Sequence, residues 1–127
     1  MKIYLCGGIN SLSDNQAKGW REKAKEILHA IGHETLDPMR RDYRGKEDQN
    51  VDDIVLGDID DIGASNWILV NAERPSWGTA MELVYAFMLR KHVVAFVGDA
   101  KPSPWLVYHS TFITKTIEKA IRIINVI

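Results

Sequence analysis

The segment richest in chemical potential reads Pro75-Ser76-Trp77-Gly78-Thr79-Ala80-Met81-Glu82. A proline- and glycine-bearing turn opens onto a helix, so free backbone N–H groups near Gly78 and Thr79 point outward and favour an anion. Glu82 falls about one turn into that helix, where the helix dipole is expected to keep its carboxylate ionised. An ionised carboxylate is what attack on an anomeric carbon requires. The same residues also fit a plain structural role, a capping box joining Thr79 to Glu82. The local pattern favours neither reading.

Glycoside chemistry needs two carboxyl groups, one to attack the sugar and one to handle the leaving group's proton. The second would come from Asp52, Asp53, Asp58, Asp60 and Asp61. Most of these read as a solvated face. Asp58 and Asp61, three apart, share a face near a helix C-terminus, where negative charge is unfavourable. Arg40, Arg41 and Arg44 accompany Asp42 and Tyr43 in a polar stretch, and guanidinium forks suit phosphate. That stretch equally reads as a solvated loop. His29 and His33 read as structural or exposed and His109 as a loop residue, and no metal is expected. Gly7-Gly8 lacks dinucleotide-fingerprint spacing, and no G-x-S-x-G elbow is present. Trp20, Trp67 and Tyr85 read as core.

These residues need a scaffold. Lys2–Leu5 reads as a buried strand ending at Cys6-Gly7-Gly8, and Ser13 to Ile31 as a helix with Ala17, Trp20, Ala24, Ile27, Leu28 and Ile31 inward. Ser13 with Gln16 forms a capping box, and Gly32 closes the helix. Glu34–Leu36 is a weak strand, and 39–50 a loop or lid. Val51 to Ala64 reads as a helix with Ile54, Val55, Ile59 and Ile62 inward. Trp67–Val70 is a strand, Thr79 to Arg90 a helix, Val93–Val97 a strand, the region around Pro102 and Pro104 a loop, and Lys115 to Val126 a helix. Alternating strands and helices imply an α/β fold: one doubly wound, Rossmann-like or flavodoxin-like parallel sheet of four to five strands with helices on both faces, spanning residues 1–127 as a single domain. Ligands of such sheets bind at the carboxyl ends of the strands. The segments Cys6–Ser13, Asp37–Lys46 and Asn71–Gly78 gather there.

The 127 residues carry a net charge of -1, without the basic excess that nucleic-acid polymers demand. One cysteine, Cys6, excludes an internal disulfide and a cysteine-based zinc site. With no apolar run near the ~20 residues that span a bilayer, no membrane partner is expected, and a reducing, cytoplasmic setting is expected.

Ile3-Tyr4-Leu5-Cys6-Gly7-Gly8-Ile9 resembles the opening strand and loop of the nucleoside 2-deoxyribosyltransferase family, which includes 2'-deoxynucleoside 5'-monophosphate N-hydrolases. The turn ending in Gly78-Thr79-Ala80-Met81-Glu82 resembles that family's nucleophile segment, and Asp58 through Val70 its aspartate helix and following strand. The resemblance covers most of the chain and implies a cofactor-free enzyme that cleaves or transfers an N-glycosidic bond through a glycosyl intermediate on Glu82. By the same resemblance Asp58 handles the proton, Tyr4 sits beside the nucleophile, and Gly7 and Gly8, with Ile9 following, line the sugar pocket. It further implies a homodimer or higher homo-oligomer acting on a small nucleoside or nucleotide. Ser76 stands where free-nucleoside transferases carry an aspartate and monophosphate hydrolases a serine, which leans the reading towards a nucleotide. The hydrolases' arginine after the first strand is missing, with Asn10 nearby, so Arg40 or Arg41 is expected to meet the phosphate. His109 and Ser110 are expected to reach a neighbouring subunit's site. Two rival readings are a phosphoribohydrolase with a related glycine-threonine-x-x-glutamate turn, and a nucleotide sensor without turnover.

Overall fold

A computed structural model describes residues 1–127. Five parallel strands form one sheet: β1 (Lys2–Cys6), β2 (Glu34–Leu36), β3 (Trp67–Asn71), β4 (His92–Phe96) and β5 (Phe112–Thr114), in the spatial order β2-β1-β3-β4-β5. Five helices connect or flank them: α1 (Asp14–Ala30), α2 (Val51–Ala64), α3 (Trp77–Met88), α4 (Pro104–His109) and α5 (Ile117–Val126). This is the doubly wound α/β arrangement in its flavodoxin-like order, whose switch point lies between β1 and β3.

Strand alternation divides the core into two layers. Ile3, Leu5, Trp67 and Leu69 pack beneath α1 and α5, against Ala24, Leu28, Ile121 and Ile124. Tyr4, Cys6, Ile68 and Val70 turn to the other face, against Ile62 of α2 and Leu83 and Ala86 of α3. A tyrosine and a cysteine are thereby delivered to the α2–α3 side.

α1 starts as its letters prescribe. Ser13 Oγ accepts from Gln16 N while Gln16 Oε1 accepts from Ser13 N, both at 3.2 Å. It ends in a Schellman turn, with Gly32 at φ +89° and His33 N donating to Leu28 O at 3.0 Å. The 39–50 stretch is held by two 3-10 turns, Pro38–Arg40 and Glu47–Gln49. The region read as a loop after Pro102 instead holds α4 and β5. Both are too short for periodicity to declare them. Val55, Ile31 and Tyr85, expected inward, are exposed. No helix is long and apolar enough to cross a membrane.

Candidate active site

A cavity of about 760 Å³ opens at the β1–β3 switch point, where the strand order reverses and loops diverge. Its floor comes from three elements. α3 carries Thr79, Leu83 and Ala86 on its buried stripe, and Glu82 lies between them at helical spacing. β1 brings Tyr4 and Cys6 beneath it. α2 brings Asp58 from the side.

Glu82 lines the cavity yet is enclosed by protein. Cys6 Sγ donates to Glu82 Oε2 at 3.0 Å. The Asp58 carboxyl lies within hydrogen-bonding reach of the Glu82 carboxyl. Tyr4 Oη, wholly buried beside the same group, has no well-formed hydrogen bond. Burial, and then the Asp58 charge, push Glu82 up to about 8. Burial also raises Asp58, against the pull of Glu82 and Arg41. Glu82 therefore carries a proton near neutral pH, beside the Asp58 carboxyl. Burial likewise raises Tyr4 and Cys6, keeping both as neutral donors.

Two expectations about Glu82 give way here. α3 begins at Trp77, with Ser76 as N-cap accepting from Thr79 N at 3.4 Å. Glu82 is thus beyond the first turn and caps nothing. The helix dipole fades beyond that turn, so desolvation governs, and Glu82 holds a proton instead of standing ionised.

Gly7, Gly8, Ile9, Ser76 and Gly78 line the cavity. Gly7 is demanded by packing, since a Cβ there would meet Trp20 Cζ2 at 2.8 Å. Trp20 is only partly core: it borders the cavity and meets Phe96 edge-on.

The arginines are arranged differently from expectation. Arg40 lies outside the cavity, donating to Asp61 Oδ1 at 2.6 Å and to Asp37 O at 3.0 Å. Arg41 borders the cavity, but its Nη2 donates to Asp61 Oδ2 at 2.8 Å and Asp58 Oδ1 at 3.3 Å. A glycine at 57 makes room, since a Cβ there would lie 3.0 Å from Arg41 Nε. Asp42 is also outside the cavity, paired with Arg44 at 2.7 Å, which holds its carboxyl down at about 2. His109 and Ser110 line a separate cavity of about 450 Å³ with Phe87, Arg90 and Tyr108. Within this chain they do not join the Glu82 site.

Other residues went unread in the sequence. Arg74, on the cavity rim, has no carboxylate partner, unlike Arg41 and Arg44. Its place two residues before the cap of α3 was the available signal. Arg21, wholly buried, donates to Gly7 O at 2.9 Å and Ala17 O at 2.5 Å, lies over Trp20, and pairs with Asp37 at 3.6 Å. An arginine on the inward stripe between Ala17 and Ala24 was its signal.

The family model for nucleoside 2-deoxyribosyltransferase matches residues 3–125. No curated protein matches at a significant level. Among solved structures, a 2-desoxiribosyltransferase from Leishmania mexicana is similar at TM-score 0.71 and 19% identity, covering 98% of this chain and 96% of that one. A CMP N-glycosidase from Clostridium botulinum is similar at TM-score 0.66 and 16% identity, covering 99% of this chain and 100% of that one. A 2-deoxyribosyltransferase from Bacillus psychrosaccharolyticus gives TM-score 0.74 at 19% identity, covering 94% of this chain and 89% of that one. At these identities the likenesses show a shared fold. The family match runs over nearly the whole chain, with Glu82 and Asp58 inside it: the chain belongs to the nucleoside 2-deoxyribosyltransferase family and is an enzyme of that family's type.

Proposed function

We propose that the chain cleaves or transfers the N-glycosidic bond of a nucleoside 5'-monophosphate, ribo or deoxy, through a glycosyl intermediate on Glu82. The single observation that carries this is the Glu82–Asp58 pair, two carboxyls within reach of each other at the floor of the cavity. With substrate bound, the proton passes to Asp58 and Glu82 becomes the anion. Glu82 attacks C1' as the C1'–N bond breaks, and Asp58 gives its proton to the departing base. Water, or a second base, then attacks C1' with Asp58 taking a proton back, and Glu82 is released. Tyr4 Oη, lacking a good partner, is free to donate to the Glu82 carboxylate as it forms. Gly7, Gly8 and Ile9 line the part of the cavity assigned to the sugar.

The lean towards a nucleotide rests on the start of α3. Ser76, a neutral hydroxyl at a helix N-terminus, suits a phosphate that an aspartate would repel. Arg74 is the cavity arginine left uncommitted, and it takes the phosphate role expected of Arg40 or Arg41. In this reading residues 1–127 act as one nucleoside 2-deoxyribosyltransferase-like domain without a cofactor, in the cytoplasm. We place a homodimer contact on the outer face of α3 and α4, where Trp77, Met81, Met88, Trp105 and Tyr108 are exposed.

Incubation with single nucleosides and 5'-monophosphates, with and without a second free base, tests the reading by chromatography. Free base released from monophosphates alone indicates a nucleotide hydrolase. A new nucleoside or nucleotide formed only with added base indicates a transferase. Binding without any conversion would replace this reading with a nucleotide sensor.

A further inference from the structure

Cys6 is the chain's single cysteine, and no step of the reaction above uses it. It is fully buried at the end of β1. Its thiol nevertheless points at the reacting carboxylate, with Sγ 3.0 Å from Glu82 Oε2. The backbone bearing it is fixed from behind. Arg21 Nη2 donates to the carbonyls on either side of Cys6, to Leu5 O at 3.5 Å and Gly7 O at 2.9 Å, and Nη1 donates to Gly8 O at 3.4 Å. Sγ faces Glu82 from a strand that pairs with β3 through Cys6 and Val70.

We propose that Cys6 is a positioning residue for Glu82: its S–H holds Oε2 and so sets how the carboxylate is presented to the sugar. The proposal rests on Glu82 being the nucleophile, and it adds what holds its carboxylate. A thiol suits the task physically. It is a weak donor, so it orients one oxygen without tying up the carboxylate's lone pairs as a hydroxyl or amide would. Burial keeps it protonated, so it remains a donor while Glu82 changes charge. Buried behind Glu82, it is itself neither nucleophile nor proton carrier.

The test uses Cys6→Ala and Cys6→Ser beside Glu82→Gln, each first checked for wild-type circular dichroism and thermal transition. Cys6→Ala is expected to lower kcat roughly three- to tenfold, the worth of one weak hydrogen bond to a charged group, with KM little changed. The alkaline limb of its pH–kcat/KM profile, where Glu82 gives up its proton, should move to higher pH, because a donor that favours the Glu82 anion is gone. Cys6→Ser should return the limb to wild type or below and recover most of kcat. A second readout needs no turnover. The lone thiol's S–H stretch in the infrared should shift as Glu82 titrates, and should move to the free-thiol position in Glu82→Ala. A Cys6→Ala enzyme with unchanged kcat and pH limb, while Glu82→Gln is inactive, overturns the positioning role and leaves the nucleophile standing. An S–H band indifferent to pH and to Glu82→Ala overturns it as well. An active Glu82→Gln would instead remove the nucleophile assignment on which it rests.

Discussion

The proposed mechanism gives the two carboxyls one proton to share, and this imposes a pH window on the residue scale. The pair must keep that proton, because in that mechanism Asp58 protonates the departing base. Above about 8 Glu82 gives it up and both groups are anions, so kcat/KM should fall on the alkaline side. On the acid side both become protonated and the nucleophile is lost. A bell-shaped profile whose alkaline limb vanishes in Asp58→Asn checks this. The same burial shows in stability. Glu82 is raised in the folded state, so its contribution is fully present below the ordinary glutamate range and is lost as pH rises through about 8. Glu82→Gln should therefore be more stable than wild type, with the difference growing from about pH 5 to about pH 9. A tenfold change in proton affinity is worth ~1.4 kcal/mol, which makes the gain of the order of a few kcal/mol, readable by urea denaturation. The letters Thr79-x-x-Glu82 located this residue without its charge state. Charge state depends on how deeply the neighbours bury a group, and no local spacing records that.

At the scale of elements, the site depends on close approaches that only small residues permit. Gly7→Ala forces a Cβ against the rigid Trp20 ring at 2.8 Å. A loss of about 1–3 kcal/mol in stability is expected, together with a rise in KM. Gly63→Ala, at the end of α2 with open space around it, is the matched control and should cost nothing. Arg41 spans from the 3-10 turn to α2 and fixes Asp58 from outside the reacting pair. Arg41→Ala should weaken turnover of nucleosides and nucleotides alike, whereas Arg74→Gln should raise KM for monophosphates and spare nucleosides. Steady-state kinetics with both substrate types separates the two. The long elements α1, α2 and α3 were legible to within a few residues because their apolar stripes and caps repeat over several turns. α4 and β5 were not, since six and three residues carry too little periodicity. Arg21 escaped for a related reason: a lone arginine on an apolar stripe gains its meaning from three carbonyls supplied by another element.

On the scale of the whole molecule, the doubly wound sheet explains why distant segments meet. β1 ends beside β3 at the switch point, so Tyr4, Cys6, Asp58 and Glu82 converge although 78 positions separate the first from the last. The alternation of strands and helices carried that much in the sequence. It left open which side of the sheet stays uncovered. Tyr85, read as core, is 44% exposed on the outer side of α3, and Trp77 nearby is 85% exposed. The proposed homodimer covers this side, and sedimentation should show a dimer that Met88→Glu disrupts. A monomer at all accessible concentrations would contradict that contact.

The most direct test of Glu82 as nucleophile is mass spectrometry of the protein quenched during turnover of a 5'-monophosphate. A pentosyl-phosphate adduct is predicted on the peptide containing Glu82, absent in Glu82→Gln, which binds the nucleotide but releases no base. Base release by wild type with no adduct at any quench time, and undiminished release by Glu82→Gln, would contradict it.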